Sequence, residues 1–201
     1  MLKLQRIQEV RTKAKRKMSK IIAGILGCMF LLSFVGKENN IYWSKDHQLK
    51  WEDFLGKTPA NSKHGAISNI GVDPHYDCSN GMLEVEIKSY FDKTKSWSKK
   101  DKQTPEALKH EQGHFDIAEF YARKFRKEMQ ENKFKSTNVK NKFDKINQKV
   151  IREHAAYQDL YDKETDHHKN ASKQTEWNDK ITKELAELEA YSETHLSIKV
   201  K

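Results

Sequence analysis

Cysteine is scarce in this chain: of 201 residues, only Cys28 and Cys78 carry a thiol. That excludes a disulfide-dense scaffold and a cysteine-rich zinc finger. Three prolines and eight glycines exclude collagen-like and proline-rich chains. No apolar run reaches the roughly 20 residues of a bilayer span. Nor does the body of the chain hold much excess charge of one sign. The net charge is +9, but residues 1–20 hold eight basic side chains against Glu9 alone, so +7 of it sits there. A phosphate-binding domain keeps its positive excess in the folded part. Nucleic acid is therefore not an expected partner.

What the N-terminus does have is the layout of an export signal. A basic flank precedes the charge-free stretch Ile21 to Val35, and polar Lys37-Glu38-Asn39-Asn40 follows it. Residues 1–36 are expected to be a signal peptide or an N-terminal membrane anchor, with the remainder outside the cytoplasm: periplasmic, extracellular or envelope-anchored. Met18 offers an alternative start, and no A-x-A cleavage site is visible. Ile25-Leu26-Gly27-Cys28 has the outline of a lipoprotein box. The apolar run from Met29 to Val35, where a polar tether is normal, argues against lipidation there. Membrane contact is expected only through this segment. Without it Cys78 stands alone, so no intramolecular disulfide is available.

Residues 37–201 are long enough for one core and divide into a strand-rich part, 37–100, and a helical part, 101–195. Leu83, Val85 and Ile87 alternate with Glu84, Glu86 and Lys88, a half-buried strand running toward Phe91. Ser79-Asn80-Gly81 is a turn signal before it. Ala66 to Val72 reads as a partner strand that Asp73-Pro74 ends. Trp43, Leu49, Trp51 and Phe54 are expected core anchors. Thr104-Pro105-Glu106 supplies an N-cap hydroxyl, a first-turn proline and a first-turn acid, so a helix starts there. Leu108, Phe115, Ala118, Ala122 and Phe125 keep a helical spacing to about Asn132. A second helix runs from about Thr137, with Val139, Phe143, Ile146, Val150, His154, Tyr157 and Tyr161 on one face. A third spans about Ser172 to Ser192, after a break at Asp166 to Asn170. Leu196, Ile198 and Val200 alternate as a short final strand. The expected fold class is α+β: a small antiparallel sheet followed by about three long helices, with a zincin-like metal site on the first.

His110-Glu111-Gln112-Gly113-His114 fits H-E-x-x-H inside that first helix. Residues four apart share one helix face, so two imidazoles can hold one ion from a rigid support. Two histidines, a third ligand and a water make an open catalytic zinc site. Glu111, offset around the helix, can reach the metal-bound water and act as general base. The metzincin extension is excluded, because Ile117 and Phe120 stand where its glycine and histidine belong. Candidates for the third ligand are Glu164, Asp166, His167, His168 and His154. His154 lies on the apolar face, where a hydrogen-bonded core histidine is the commoner outcome. Asp116, Glu119 or Asp162 can orient a ligand histidine, and Tyr157, Tyr161 or His168 can stabilise an oxyanion. If Leu83 to Phe91 is an edge strand, it can hold an extended peptide by strand addition. Gly113 suits a close backbone approach.

Four stretches together resemble a bacterial family of unknown function described as predicted secreted zinc-dependent proteases. They are WSKDHQLKWEDF at 43–54, Ser96-Trp97, HEQGHFDIAEFYAR at 110–123, and Tyr161-Asp162-Lys163-Glu164-Thr165-Asp166-His167. The resemblance implies His167 as the third metal ligand beside His110 and His114. Such proteins usually continue with glycine after that stretch, where His168 stands here. The expected function is an exported zinc-dependent peptidase with one Zn2+ per chain, Glu111 as general base, and a peptide or protein substrate. The alternative is a non-catalytic, zinc-stabilised cell-envelope binding module.

Overall fold

The computed structural model describes residues 39–201, which form one unit. The expected signal or anchor segment, with Cys28, lies outside the described residues. None of the described helices is long and apolar enough to cross a membrane.

The architecture is α+β. Six strands are β1 (Asn40–Tyr42), β2 (Ala66–Ile67), β3 (Ile70–Ser79), β4 (Met82–Asp92), β5 (Trp97–Ser98) and β6 (His195–Lys199). Three helices are α1 (Pro105–Glu131), α2 (Val139–Thr165) and α3 (Ala171–Glu187). The main sheet is antiparallel: β4 pairs with β3 on one side, and with β1 and β6 along the other. β2 and β5 form a separate two-stranded ribbon.

Local chemistry explains most of these elements. Asn80 and Gly81 both have positive φ (51° and 76°) and close the β3–β4 hairpin between Ser79 and Met82. This is the Asn-Gly turn whose twist matches two antiparallel strands. Along β4, Leu83, Val85, Ile87 and Phe91 are fully buried, while Glu84, Glu86, Lys88 and Tyr90 are partly exposed. The Thr104 hydroxyl accepts from the Ala107 N–H, and Pro105 opens α1.

Two sequence expectations are corrected here. Asp73-Pro74 does not end a strand, because β3 runs straight through both. Pro74 faces Ile87, whose N–H donates to the Thr194 carbonyl on the opposite side. The Pro74 nitrogen therefore points to the outer edge of the sheet, where no N–H is required. Nor is the Leu83–Phe91 strand an edge. It is the central strand, paired on both sides, and has no free edge for a peptide.

Helix α1 packs between β3–β4 on one side and α2 and α3 on the other. Its large apolar residues, Ile117, Tyr121, Phe125 and Met129, join Leu83, Val85 and Ile87 in the main core. Phe115 reaches a second cluster with Leu49, Phe54 and Phe91, against which Trp43 and Trp51 pack. Enclosure on several sides explains why His110, Glu111, Gln112 and Gly113, four successive residues, are all buried.

Candidate metal centre

His110 and His114 project from one face of α1, and their Nε2 atoms stand 3.1 Å apart. Asp162, from the last turn of α2, places Oδ1 3.0 Å from the first and 3.1 Å from the second. These are the three residues that the structure groups as possible metal ligands. Two donors on a tetrahedral ion at about 2.0–2.1 Å stand roughly 3.3–3.4 Å apart. The triangle is close to one face of such a shell.

The hydrogen bonds behind the rings decide what the triangle is made of. Tyr161 Oη donates to the His110 carbonyl and accepts from Gln174 Nε2. Gln174 therefore turns Oε1 toward His110 Nδ1, at 3.0 Å, so Nδ1 carries the proton. Gln158 Nε2 donates to the His114 carbonyl, which leaves its Oε1 to accept from His114 Nδ1 at 2.6 Å. In the neutral rings both Nε2 atoms are then bare lone pairs, facing each other and a carboxylate oxygen. Three acceptors cannot satisfy one another, so the set suits a shared positive charge, a proton or a metal ion. Burial works against charge on His114, but the Asp162 hydrogen bond and the Glu111 and Asp162 charges outweigh it and raise its pKa above 6.5. Burial also opposes the Asp162 anion, yet the two imidazoles hold its carboxyl well below the usual carboxylate range.

Glu111 is buried beside the two histidines and accepts a 2.6 Å hydrogen bond from Ser68 Oγ through Oε2. It lines, with His110, His114 and Asp162, a cleft of about 650 Å³. One wall is β2 and the residues just before it. The other is the α2–α3 turn at His167 and His168.

That turn has an unusual backbone. Asp166, His167 and His168 all lie in the left-handed region, with φ of 47°, 48° and 70°, a conformation costing about 1–3 kcal/mol for a residue with a side chain. It is held by backbone hydrogen bonds: the N–H groups of His167, Lys169 and Asn170 donate to the carbonyls of Asp162, Asp166 and Thr165. His167 Nδ1 comes within 3.2 Å of Asp162 Oδ1. His167 thus meets the same carboxylate oxygen as His110 and His114, although it lies outside the group of three. The glycine expected at 168 suits a φ of 70°, where this chain carries a histidine.

The remaining candidates fall into place by their partners. Glu164 accepts from Trp177 Nε1 and serves packing. His154 accepts from Gln158 Nε2, as expected of a core histidine, and burial together with the His114 charge lowers its pKa to about 4. Asp116 is tied to Trp43 Nε1 and Gln112 Nε2, and Glu119 to Arg123 and Arg126; neither touches a ligand histidine. Tyr157 donates to Glu184. Gly113 is explained: a Cβ there would lie 2.2 Å from Tyr161 Oη. Sequence reasoning did not single out Gln158, Gln174 or Ser68. Gln158 shares a stripe with His154 and Asp162 at four-residue spacing, the one signal available for it.

Residues 81–169 match the model of a family of bacterial proteins of unknown function (DUF922). The matched span includes β4, α1, α2, the three members of the triangle, Glu111 and His167. It leaves out Ser68 and Gln174. No curated protein and no solved structure matches the chain.

Proposed function

We propose that this protein is an exported zinc-dependent peptidase with Glu111 as its general base. The observation that carries the proposal is the convergence of two imidazole Nε2 atoms and a carboxylate oxygen, a set that suits one shared cation, beside a buried carboxylate in an open cleft. His110, His114 and Asp162 would hold the zinc ion, which would supply Lewis acidity and bring the pKa of water toward neutrality. Ser68 occupies one oxygen of Glu111 and leaves the other to take a proton from the attacking water. Glu111 then returns that proton to the leaving amine. Gln158 and Gln174 fix the tautomers of the two histidines, and His167 steadies Asp162.

The free strand edge beside the cleft supports a peptide substrate. Lys99 N–H donates to the Gly65 carbonyl, and Ile67 pairs with Trp97. Antiparallel alternation turns the Ala66 N–H and C=O away from β5, along an edge lining the cleft. An extended peptide can pair there.

A second proposal, a zinc-stabilised envelope module without turnover, draws support from one feature. His110, Asp162 and Gln174 come from three different helices, so an ion there would also brace the fold. Replacing Glu111 by Gln separates the two. For a peptidase, E111Q keeps one zinc per chain, while cleavage of a fluorogenic peptide library falls by about 10²–10⁴. Undiminished cleavage by E111Q overturns Glu111 as base. Zinc-loaded wild type that cuts nothing, but melts higher than the metal-free protein, favours the module.

A further inference from the structure

His168 has no role in the metal triangle, yet the turn that carries it is built at a cost. Three consecutive side-chain-bearing residues adopt the left-handed conformation, which glycine tolerates best and which Asn, Asp and His enter more readily than other side chains. The outcome of that turn is that successive imidazoles face the site. His167 meets Asp162. The His168 ring lines the cleft 5.9 Å from the ring of His110. Among the described residues no side chain or backbone group hydrogen-bonds His168.

Peptide hydrolysis needs a donor where the carbonyl oxygen gains charge. The two tyrosines nearest the site are already committed. Tyr157 Oη donates to Glu184, and Tyr161 Oη donates to the His110 carbonyl while accepting from Gln174. An imidazole carries at least one N–H in either protonation state, so His168 is a donor without a protein acceptor, facing the cleft.

We infer that His168 is a catalytic residue that donates a hydrogen bond to the scissile carbonyl oxygen of the substrate. This rests on the proposed peptidase activity. His168 keeps its own proton throughout. As the C–O bond forms, the water proton passes to Glu111, and it goes to the amine nitrogen as the C–N bond breaks.

The test compares the zinc-loaded full chain with H168G and H168N. Glycine removes the donor and suits a φ of 70°; asparagine suits it too and restores an N–H. H168G should keep its zinc and melt no lower than wild type. Its kcat on a fluorogenic peptide should fall about 10²-fold. Its affinity for a phosphonamidate peptide, which carries the oxyanion in stable form, should fall at least about tenfold, while that for the cleaved product peptide stays unchanged. H168N should recover part of both losses. Wild-type kcat and phosphonamidate affinity in H168G overturn the inference alone. Loss of zinc in H168G also overturns it, because His168 would then be a metal ligand. A wild type that neither cuts peptides nor binds the phosphonamidate overturns the peptidase proposal, and this inference with it.

Discussion

Helix α1 carries two buried glutamates eight residues apart, and they live in opposite surroundings. Glu119, 4% exposed, accepts from Ser89 Oγ, Arg123 Nε and Arg126 Nη2. Arg123 goes on to the Leu185 carbonyl and Glu189, and Arg126 to the Ser192 carbonyl. Donors and acceptors balance, so the cluster is complete in itself. Glu111, 7% exposed, has Ser68 as its one hydrogen-bond donor among the described residues, and neighbours two imidazoles whose Nε2 atoms converge on Asp162. Burial is nearly the same in both places, so burial does not separate structure from chemistry. The balance of donors does. A satisfied buried network fixes a fold, whereas imidazole and carboxylate groups that converge on one point suit a shared proton or metal ion.

The largest loss of stability is expected at Glu119. E119A leaves Arg123 and Arg126 buried without their shared carboxylate and should cost about 3–5 kcal/mol, read by urea unfolding. E111Q should cost no more than about 1 kcal/mol, since only one hydrogen bond is at stake. Equal losses at the two positions would erase the distinction.

The next largest effect lies within the triangle. D162A removes one of the three convergent acceptors and should abolish stoichiometric zinc binding by the metal-loaded protein. H167A removes an imidazole that meets the same carboxylate oxygen and, as a group that orients Asp162, should weaken binding about 10–100-fold. The reverse order, measured by competition with a chelator, would make His167 the ligand that the family resemblance implies and Asp162 its support.

A smaller loss is expected at Gly113. A Cβ 2.2 Å from Tyr161 Oη must displace that ring, so G113A should cost about 1–3 kcal/mol. Because Tyr161 carries Asp162 as its neighbour, zinc affinity should fall as well. An unchanged affinity would show that the triangle does not depend on Tyr161.

The gentlest effect is on pH. His114 is raised above 6.5 in the folded protein, so its contribution to stability is full below 6.5 and fades as pH rises through the folded value. Asp162 is lowered below 3.8, so its contribution is full above 3.8 and is lost as pH falls through the folded value. Together they place the best stability of the metal-free protein between those two pH values. Saturating zinc binds the deprotonated ligands and should move the optimum above 6.5. Melting profiles with the same optimum in both states would deny the triangle its cation.

Much of the fold was legible in local pattern. The alternation in β4, the Asn-Gly turn, the Thr104 cap and the four-residue steps along α2 each have a local physical cause and reappear as expected. The position of β4 in the sheet was not legible, because alternation looks the same whether a strand has one neighbour or two. Pro74 misled for a related reason: a proline interrupts a strand only when its nitrogen faces a partner, and which side faces the partner is a property of the whole sheet.

The candidate site divides along the same line. Sequence alone determined that His110 and His114 share a helix face and that Glu111 stands beside them, because one turn of helix relates all three. Tertiary structure decided that Asp162 Oδ1 meets His110, His114 and His167 together, and that glutamine oxygens face both Nδ1 atoms. Those outcomes depend on Ser68, Gln158, Asp162 and Gln174, which lie 43 to 64 residues from their partners on α1. Helical periodicity cannot reach so far; only the packing of three helices and a ribbon brings such groups within hydrogen-bonding distance.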